Sequence, residues 1–430
     1  MERPSLRAAV LLLACAAAGG CQADPDHPRN GRIALLASTP SPAEAGQRRA
    51  YSCGQILAPD QAVADLELRS SYASWRKAYV TSEGARGLLR VKGGEEHEGA
   101  TPSEGIGYGM LLAAYLGDKH TFDRLWAYAK RYRNARGMMA WLIPPDGAMP
   151  GGAGAAATDA DEDMAFALVV ADTRWGGYRM ETVALIHTLM RRAVEPGTYV
   201  LKPGDIWGGS EVTNPSYFAP AYYKVFAAYT GDPRWHRVAD TSYRILANVD
   251  ARHGGTGLQP DWTTAAGDPV RTARDRPFRY GYDATRVPWR LAKDAVWNCD
   301  PRALRHLERI NRFFRGIGAE EIRDGYALNG RRIGHSHHAA FVAPVAAGAL
   351  VASDSAYQRS LWKETIRLRN SGYYGDSLRL LSLLLASGNM PPPRFRAPAS
   401  RPLGSNRFLP HQARSTQRSY TGESEAAVPR

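Results

Sequence analysis

Cysteine is scarce in this chain: four in 430 residues, with Cys15 and Cys21 confined to the first 21. A small scaffold stapled by many disulfides is therefore excluded. Strand-like alternation of apolar and polar residues is also rare, which argues against a sandwich or barrel of strands. The apolar stretch that opens the chain is roughly a dozen residues long, too short for a stable membrane span. The net charge of +13 has no basic stripe interleaved with aromatics to go with it. Seven arginines against two glutamates follow Met390, and residues 1–50 add about two more positive charges. Roughly +6 remains for residues 51–390, an ordinary surface charge, so nucleic-acid binding is excluded as a function class.

What is present is a large core. Apolar residues make up 44% and aromatics 10% of the chain, the composition of a globular protein. At the N-terminus Arg3 and Arg7 precede the apolar stretch and small residues follow, the layout of a secretory signal peptide over residues 1–21. Cys21 after Ala-Gly-Gly, or Cys15 after Leu-Leu-Ala, also stands where a bacterial lipoprotein carries its lipid, so lipidation and plain export both stay open. Residues 22–52, with STPSPAEAGQRR, have linker composition, and the Pro-, Arg- and Ser-rich tail 391–430 reads as disordered. Between them residues 53–390 form one domain without a linker-like break. Cys53 and Cys299 lie far apart in it, and two free thiols are expected.

The domain is helical almost throughout. TFDRLWAYAKRY puts Phe122, Leu125, Trp126 and Ala129 on one face, and RALRHLERINRFF does the same with Leu304, Leu307, Ile310 and Phe314. DSLRLLSLLLASG is apolar nearly all round, as a helix deep in a core is, and stops at Gly388. Roughly a dozen such segments run from about residue 60 to 387, enough to wrap around a common centre. The segments that interrupt them, MMAWLIPPDGAMPGGAGAAATD, KPGDIWGGSEVTNPSYF, GLQPDW and RYGYDATRVPW, are dense in Gly, Pro, Trp, Tyr and acids. Loops held on a rigid scaffold commonly carry function. Trp and Tyr beside carboxylates suit a pyranose ring, whose C–H faces stack on aromatics while its hydroxyls meet polar groups.

Three places offer carboxylates. AATDADEDM sets Asp159, Asp161, Glu162 and Asp163 at the head of an apolar segment. Asp159 and Glu162 have the spacing of a capping box, and acids in a first turn gain about 0.3–1 kcal/mol each from the helix dipole. That reading accounts for Glu162 and Asp163 and leaves Asp161 open between the helix start and support of a site. The loop for calcium, with its central Gly and distal Glu, is missing. Glu104 in PSEGIGYGMLLAAY is followed by Gly105, Gly107 and Gly109, each costing about 1 kcal/mol against Ala in a helix. Close approach by backbone or ligand is the expected reason. Asp283 in YGYDATRVPWRLA has Arg286 three residues on, a local ion pair at the least. Carboxylates on separate loops with aromatics between them are what glycosidic cleavage needs: one protonates the leaving oxygen, another activates water or attacks carbon. GHSHH at 334–338 is expected to be a solvated loop rather than a metal site.

Five motifs in order, SEGIGYGMLLA, ATDADEDMAFALVVADTRWG, YVLKPGDIWGGSEVTNPSYFAPAYYKVFAAYTGDPRW, YDATRVPWRLAKDAVW and YYGDSLRLLSLLLASGN, resemble family-8 glycoside hydrolases from about residue 65 to 390. The resemblance is greatest to their endo-β-1,4-glucanase (cellulase) branch. It implies an all-α fold, an (α/α)6 barrel of six inner and six outer helices, with a cleft where the inner helices begin. It implies an inverting hydrolase of cellulose-like glucan, with Glu104 as general acid, Asp283 as general base, and Asp159 binding and distorting the adjacent sugar. An acid at position 283 favours cellulase or xylanase over chitosanase. Trp141 and Trp207 match sugar-stacking positions; Tyr217, Arg286 and Tyr373 or Tyr374 match polar contacts. The last motif is shorter before YYGD than the family pattern, which leaves the choice of tyrosine open. No metal or other cofactor is implied, and the partner is a β-1,4-linked polysaccharide, the protein itself a monomer. Membrane contact would come only through an N-terminal lipid anchor, at a periplasmic, secreted or outer-membrane location. Xylanase, lichenase or chitosanase activity on the same fold, and a non-catalytic glycan-binding protein, are the alternatives.

Overall fold

The computed structural model describes residues 50–150, 152–270 and 277–395. The signal peptide, residues 22–49 of the linker, and residues 396–430 of the tail lie outside the described residues.

Twelve α-helices occur among the described residues. In chain order they are α1 (Gln61–Tyr79), α2 (Ser103–Leu116), α3 (Lys119–Arg131), α4 (Thr158–Trp175), α5 (Arg179–Arg192) and α6 (Pro220–Thr230). The second half contributes α7 (Arg234–Arg252), α8 (Val287–Asn298), α9 (Pro301–Ile317), α10 (Ala339–Gly348), α11 (Ser355–Arg367) and α12 (Gly372–Ala386). The even-numbered helices touch in a closed cycle: α2 on α4, α4 on α6, α6 on α8, α8 on α10, α10 on α12, and α12 back on α2. Each of α3, α5, α7, α9 and α11 packs on the inner helix before it, and α1 packs on α12. Six inner helices wrapped by six outer ones make an (α/α)6 barrel, as expected. Closure is the part that no local pattern in the chain could show.

The two rings differ in sequence for a physical reason. An outer helix has one face in water, so α3 buries Phe122, Leu125, Trp126 and Ala129 and leaves its charged face outside. On α9, Leu307, Ile310 and Phe314 are buried, while Leu304 is partly so. Inner helices have no such face: α10 is buried along its whole length and α12 nearly so. The three glycines of α2 belong to this crowding. A Cβ at Gly105 would lie 2.7 Å from the Tyr373 hydroxyl, at Gly107 2.9 Å from Asp163 Cβ, and at Gly109 2.8 Å from Leu125 Cδ1. Helix α2 is thus pressed by α12, α4 and α3 at once, and the cost of glycine in a helix is offset by that packing.

Two short antiparallel pairings tie loops to the barrel. Strand β1 (Val80–Thr81) pairs with β2 (Arg90–Val91), and β3 (Thr101–Pro102) pairs with β4 (Leu142–Ile143). The second pairing matters more, because it aligns the loop bearing Trp141 with the first turn of α2. The Ser103 N–H donates to the Trp141 carbonyl at 2.8 Å.

The expectation of free thiols is overturned: Cys53 and Cys299 form a disulfide, their Cα atoms 5.6 Å apart. The Cys53 N–H also donates to the Val296 carbonyl at 3.2 Å, so the segment before α1 lies against the end of α8. Separation in sequence is no obstacle when the barrel brings the start of the domain against the end of α8.

Candidate active site

The six inner helices all present their N-terminal ends to one mouth. Arg286, at the entry to α8, reaches Asp159 on the first turn of α4, the Tyr108 hydroxyl of α2 at 3.3 Å and Ser216 Oγ before α6 at 2.7 Å. Thr285 donates to the Ala340 carbonyl of α10 at 2.7 Å, and the Tyr374 hydroxyl of α12 donates to the Tyr282 carbonyl at 2.6 Å. These contacts gather the sequence-predicted residues Glu104, Asp159, Tyr217, Asp283, Arg286 and Tyr374 in one place.

The carboxylates have different surroundings. Glu104 stands on the first turn of α2, partly buried. Burial first, then the negative charge of Asp159, push its carboxyl up to about 8, with Arg286 pulling the other way. Such an acid keeps its proton near neutral pH. Asp159 is buried; its Oδ2 is bound by Arg286, and its Oδ1 has no hydrogen-bond partner among the described residues. Asp283 is the open one, its side chain 33% exposed, with Oδ1 2.7 Å from Arg286 Nη2. The local ion pair is real, but Arg286 joins it to Asp159 on another helix. The guanidinium also lies over the Tyr217 ring, 5.3 Å from its centroid.

The capping-box reading of AATDADEDM fails. The N-cap lies two residues earlier, at Ala157, which makes no side-chain cap, and Thr158 is the first helical residue. All four acids are buried, so none is simply a solvated charge at a helix end. Asp161 accepts the Met139 N–H at 3.2 Å, holding the backbone that leads to Trp141, and burial pushes its carboxyl up to about 8. Asp163 is paired through both oxygens with Arg290 in the barrel interior, Nη2 to Oδ2 at 2.9 Å. Burial raises Glu162 well above the ordinary carboxylate range, against the pull of Arg290. Because α4 is an inner helix, its first turn has no outside on which acids could be solvated.

Aromatic side chains flank the acids. Trp141 is 48% exposed, on the loop whose backbone binds Ser103, the residue before Glu104. Trp207, Trp262 and Tyr217 form a row, with centroids 5.6 Å and then 6.5 Å apart. Of the two tyrosines expected at the cleft, Tyr374 is partly exposed and rings against Tyr282. Tyr373 is only 1% exposed and packs edge-on against Tyr79, so it backs the wall and does not line it. Two consecutive helical residues point about 100° apart, so only one of them can face the mouth.

Several site residues were not singled out in the sequence. Tyr282 is 44% exposed, its ring edge-on to Phe341. Trp262 completes the aromatic row. Ser216 and Tyr108 hold Arg286. Asp261 is buried, its Oδ1 accepting the N–H groups of Gly281, Asp283 and Ala284, and burial with the charge of Asp283 raises its carboxyl. Asp261, Trp262 and Tyr282 lie in loops whose composition was informative, but nothing in a linear string ranks one member of GLQPDW over another.

GHSHH is more than a solvated loop. His337 bonds the Ile322 carbonyl at 2.8 Å and Glu364 at 3.1 Å, and His338 accepts the Ala340 N–H at the start of α10. Among the described residues no group of three or more His, Cys, Asp or Glu is arranged to hold a metal ion.

A protonated carboxyl and an open carboxylate across one mouth, set among exposed indole and phenol rings, are the equipment of a glycoside hydrolase. The sequence profile of the glycosyl hydrolases family 8 matches residues 50–388, and the chain belongs to that family. It is 44% identical over 372 residues to Endoglucanase A of Acetivibrio thermocellus, covering 84% of this chain and 77% of that protein. It is 43% identical to Endoglucanase C of Ruminiclostridium cellulolyticum, covering 80% of this chain and 75% of that protein. Among solved structures, the apo β-1,3-1,4-glucanase from Paenibacillus sp. X4 superposes with a TM-score of 0.74 at 30% identity, over 80% of this chain and 97% of the other.

Proposed function

We propose that this protein is an endo-acting, inverting hydrolase of β-1,4-glycosidic bonds in cellulose-like glucan. The observation that carries the reading is the pairing of Glu104, whose proton is held near neutral pH, with the open Asp283 carboxylate at the same mouth. Glu104 protonates the glycosidic oxygen as the bond breaks. Asp283 takes a proton from the water that attacks the anomeric carbon from the opposite face. Asp159, with Oδ2 committed to Arg286, has Oδ1 left to accept a sugar hydroxyl and hold the adjacent ring in a distorted conformation. Trp141, Trp207 and Tyr282 stack on pyranose faces, with Trp262 packed against Trp207, and Tyr217 and Tyr374 contribute polar contacts.

The endoglucanases at 43–44% identity support a β-1,4-glucan as substrate. A second reading, mixed-linkage glucan, has the support of the β-1,3-1,4-glucanase at 30% identity. The Cys53–Cys299 disulfide supports export to an oxidising compartment, because such bonds are rare where thiols are kept reduced.

Proton NMR of the first product from a defined cello-oligosaccharide tests bond, substrate and stereochemistry together. The expected first product is the α-anomer, and a β-anomer refutes inversion. Rates on carboxymethyl-cellulose, mixed-linkage glucan, xylan and chitosan run side by side decide the polymer. Binding without new reducing ends would return the protein to the glycan-binding class.

A further inference from the structure

We propose that Asp261 is the positioning residue of this site, setting the backbone turn from which Asp283 projects. This rests on the reading of Asp283 as the base. Asp261 Oδ1 accepts the N–H of Gly281 at 3.1 Å, of Asp283 at 3.0 Å and of Ala284 at 2.8 Å. One oxygen therefore fixes the residue before the candidate base, the base itself and the residue after it. These amides open the short 3-10 turn Ala284–Arg286 that leads into α8, where N–H groups have no intrahelical acceptor. A carboxylate suits that position, since it satisfies several donors at the positive end of the helix.

Asp261 is itself anchored. Its N–H donates to the Arg279 carbonyl at 2.8 Å, and Trp262, the next residue, belongs to the aromatic row and donates to the Pro277 carbonyl at 3.3 Å. The platform for sugar rings and the holder of the base turn are thus consecutive residues of one rigid segment. The approach is close enough to dictate the sequence opposite. A Cβ at Gly281 would lie 2.3 Å from Asp261 Oδ2, so the glycine of YGYD is required by the Asp261 carboxylate. Asp261 is buried and reaches no open surface, so its action on the reaction passes through the turn.

Misplacing a reacting group by about 1 Å costs on the order of 10²-fold in rate. Asp261→Ala removes the acceptor for all three amides. It is expected to lower kcat per folded molecule about 10²-fold on carboxymethyl-cellulose while KM stays within about threefold. Asp261→Asn keeps an oxygen at the acceptor position and is expected to recover most of that kcat. Gly281→Ala, which pushes the same turn from the other side, should reproduce the kcat loss with Asp261 intact. The proposal is overturned if Asp261→Ala keeps wild-type kcat per folded molecule, its lost activity merely tracking lost folded protein by circular dichroism. It is equally overturned if Asp261→Asn falls as far as Asp261→Ala. Asp283→Asn, assayed alongside, separates this inference from the reading beneath it. Wild-type turnover in Asp283→Asn sinks the assignment of the base, whereas an inactive Asp283→Asn beside an unaffected Asp261→Ala sinks only the role of Asp261.

Discussion

Asp159 adds to burial in holding the proton on Glu104: the two carboxyls head neighbouring inner helices, and after burial the charge of the first is what most opposes ionisation of the second. A general acid works only while protonated, so kcat/KM is expected to fall as pH rises through about 8. Asp159→Asn removes the opposing charge and frees Arg286, and both changes favour the glutamate anion. The basic limb of its residual activity should therefore move to lower pH. Glu104→Gln should lose at least about 10²–10⁴ in kcat across the whole range. A wild-type basic limb in Asp159→Asn, measured as kcat/KM against pH, would refute the coupling.

Trp141 offers its ring to solvent from the loop paired with the start of α2, and carries no carboxyl or imidazole that could take part in proton transfer. Its removal should weaken substrate and transition state alike. Trp141→Ala is expected to raise KM on cello-oligosaccharides about 5- to 30-fold, the equivalent of about 1–2 kcal/mol, with kcat within about threefold. A fall confined to kcat, read from full saturation curves, would mean that Trp141 acts on the chemical step instead.

These residues differ in how far the chain announced them. Helical periodicity separated outer helices such as α3 from inner ones such as α12, because burial on one side and on all sides leave different patterns. Glu104, Asp159 and Asp283 were legible through motifs. The closed cycle of inner helices was not, since it is a relation between distant segments and closes only where α12 meets α2 from the far end of the domain. The same holds for Arg286, which looked like a local partner of Asp283 and proves to span two helices. The acids of AATDADEDM misled for a related reason: their spacing fits a solvated first turn, and only the barrel reveals that this turn faces inward. Asp161 and Asp163 are used there by Met139 and Arg290, partners too distant in sequence to be guessed.

The Cys53–Cys299 bond closes a loop across a sequence separation of 246 residues. Such a cross-link restricts the unfolded chain and is typically worth about 2–4 kcal/mol. Reduction, or the double substitution Cys53→Ser with Cys299→Ser, is expected to lower stability by about that amount in urea unfolding, again with little change in kcat. The active site lies at the other end of α8 from Cys299, so activity at low temperature should survive. Equal stability of the oxidised and reduced protein would show that the bond contributes nothing.

Asp161 should make stability depend on pH. Its carboxyl is raised from 3.8 to about 8 by burial, so between those values the folded protein holds a proton that the unfolded chain releases. The stabilisation is complete below about pH 4 and is lost as pH rises through about 8. Asp161→Asn keeps an oxygen for the Met139 N–H and has no proton to lose. Its unfolding free energy, measured by urea from pH 5 to pH 8, should decline less steeply than that of the wild type. Parallel curves would mean that Asp161 is ionised in the folded protein.

The Asp163–Arg290 pair sits in the barrel interior with neither side chain exposed, so each charge depends on the other. Burial, and after it the repulsion of Arg290, lower the ammonium of the neighbouring Lys293 well below the ordinary lysine range. Removing one partner leaves an uncompensated charge where water cannot reach it, at a cost of about 3–5 kcal/mol. Asp163→Leu and Arg290→Met are each expected to destabilise by about that much in urea unfolding. Combining Asp163→Leu with Arg290→Met removes both charges and should cost far less than the sum of the single changes, because desolvating the pair already opposes folding. Crowding sets a limit, since Asp163 Cβ lies against Gly107 of α2 and a branched side chain must fit that contact. Additive losses in the double variant would mean that shape, and not charge, is what this pair supplies to the barrel.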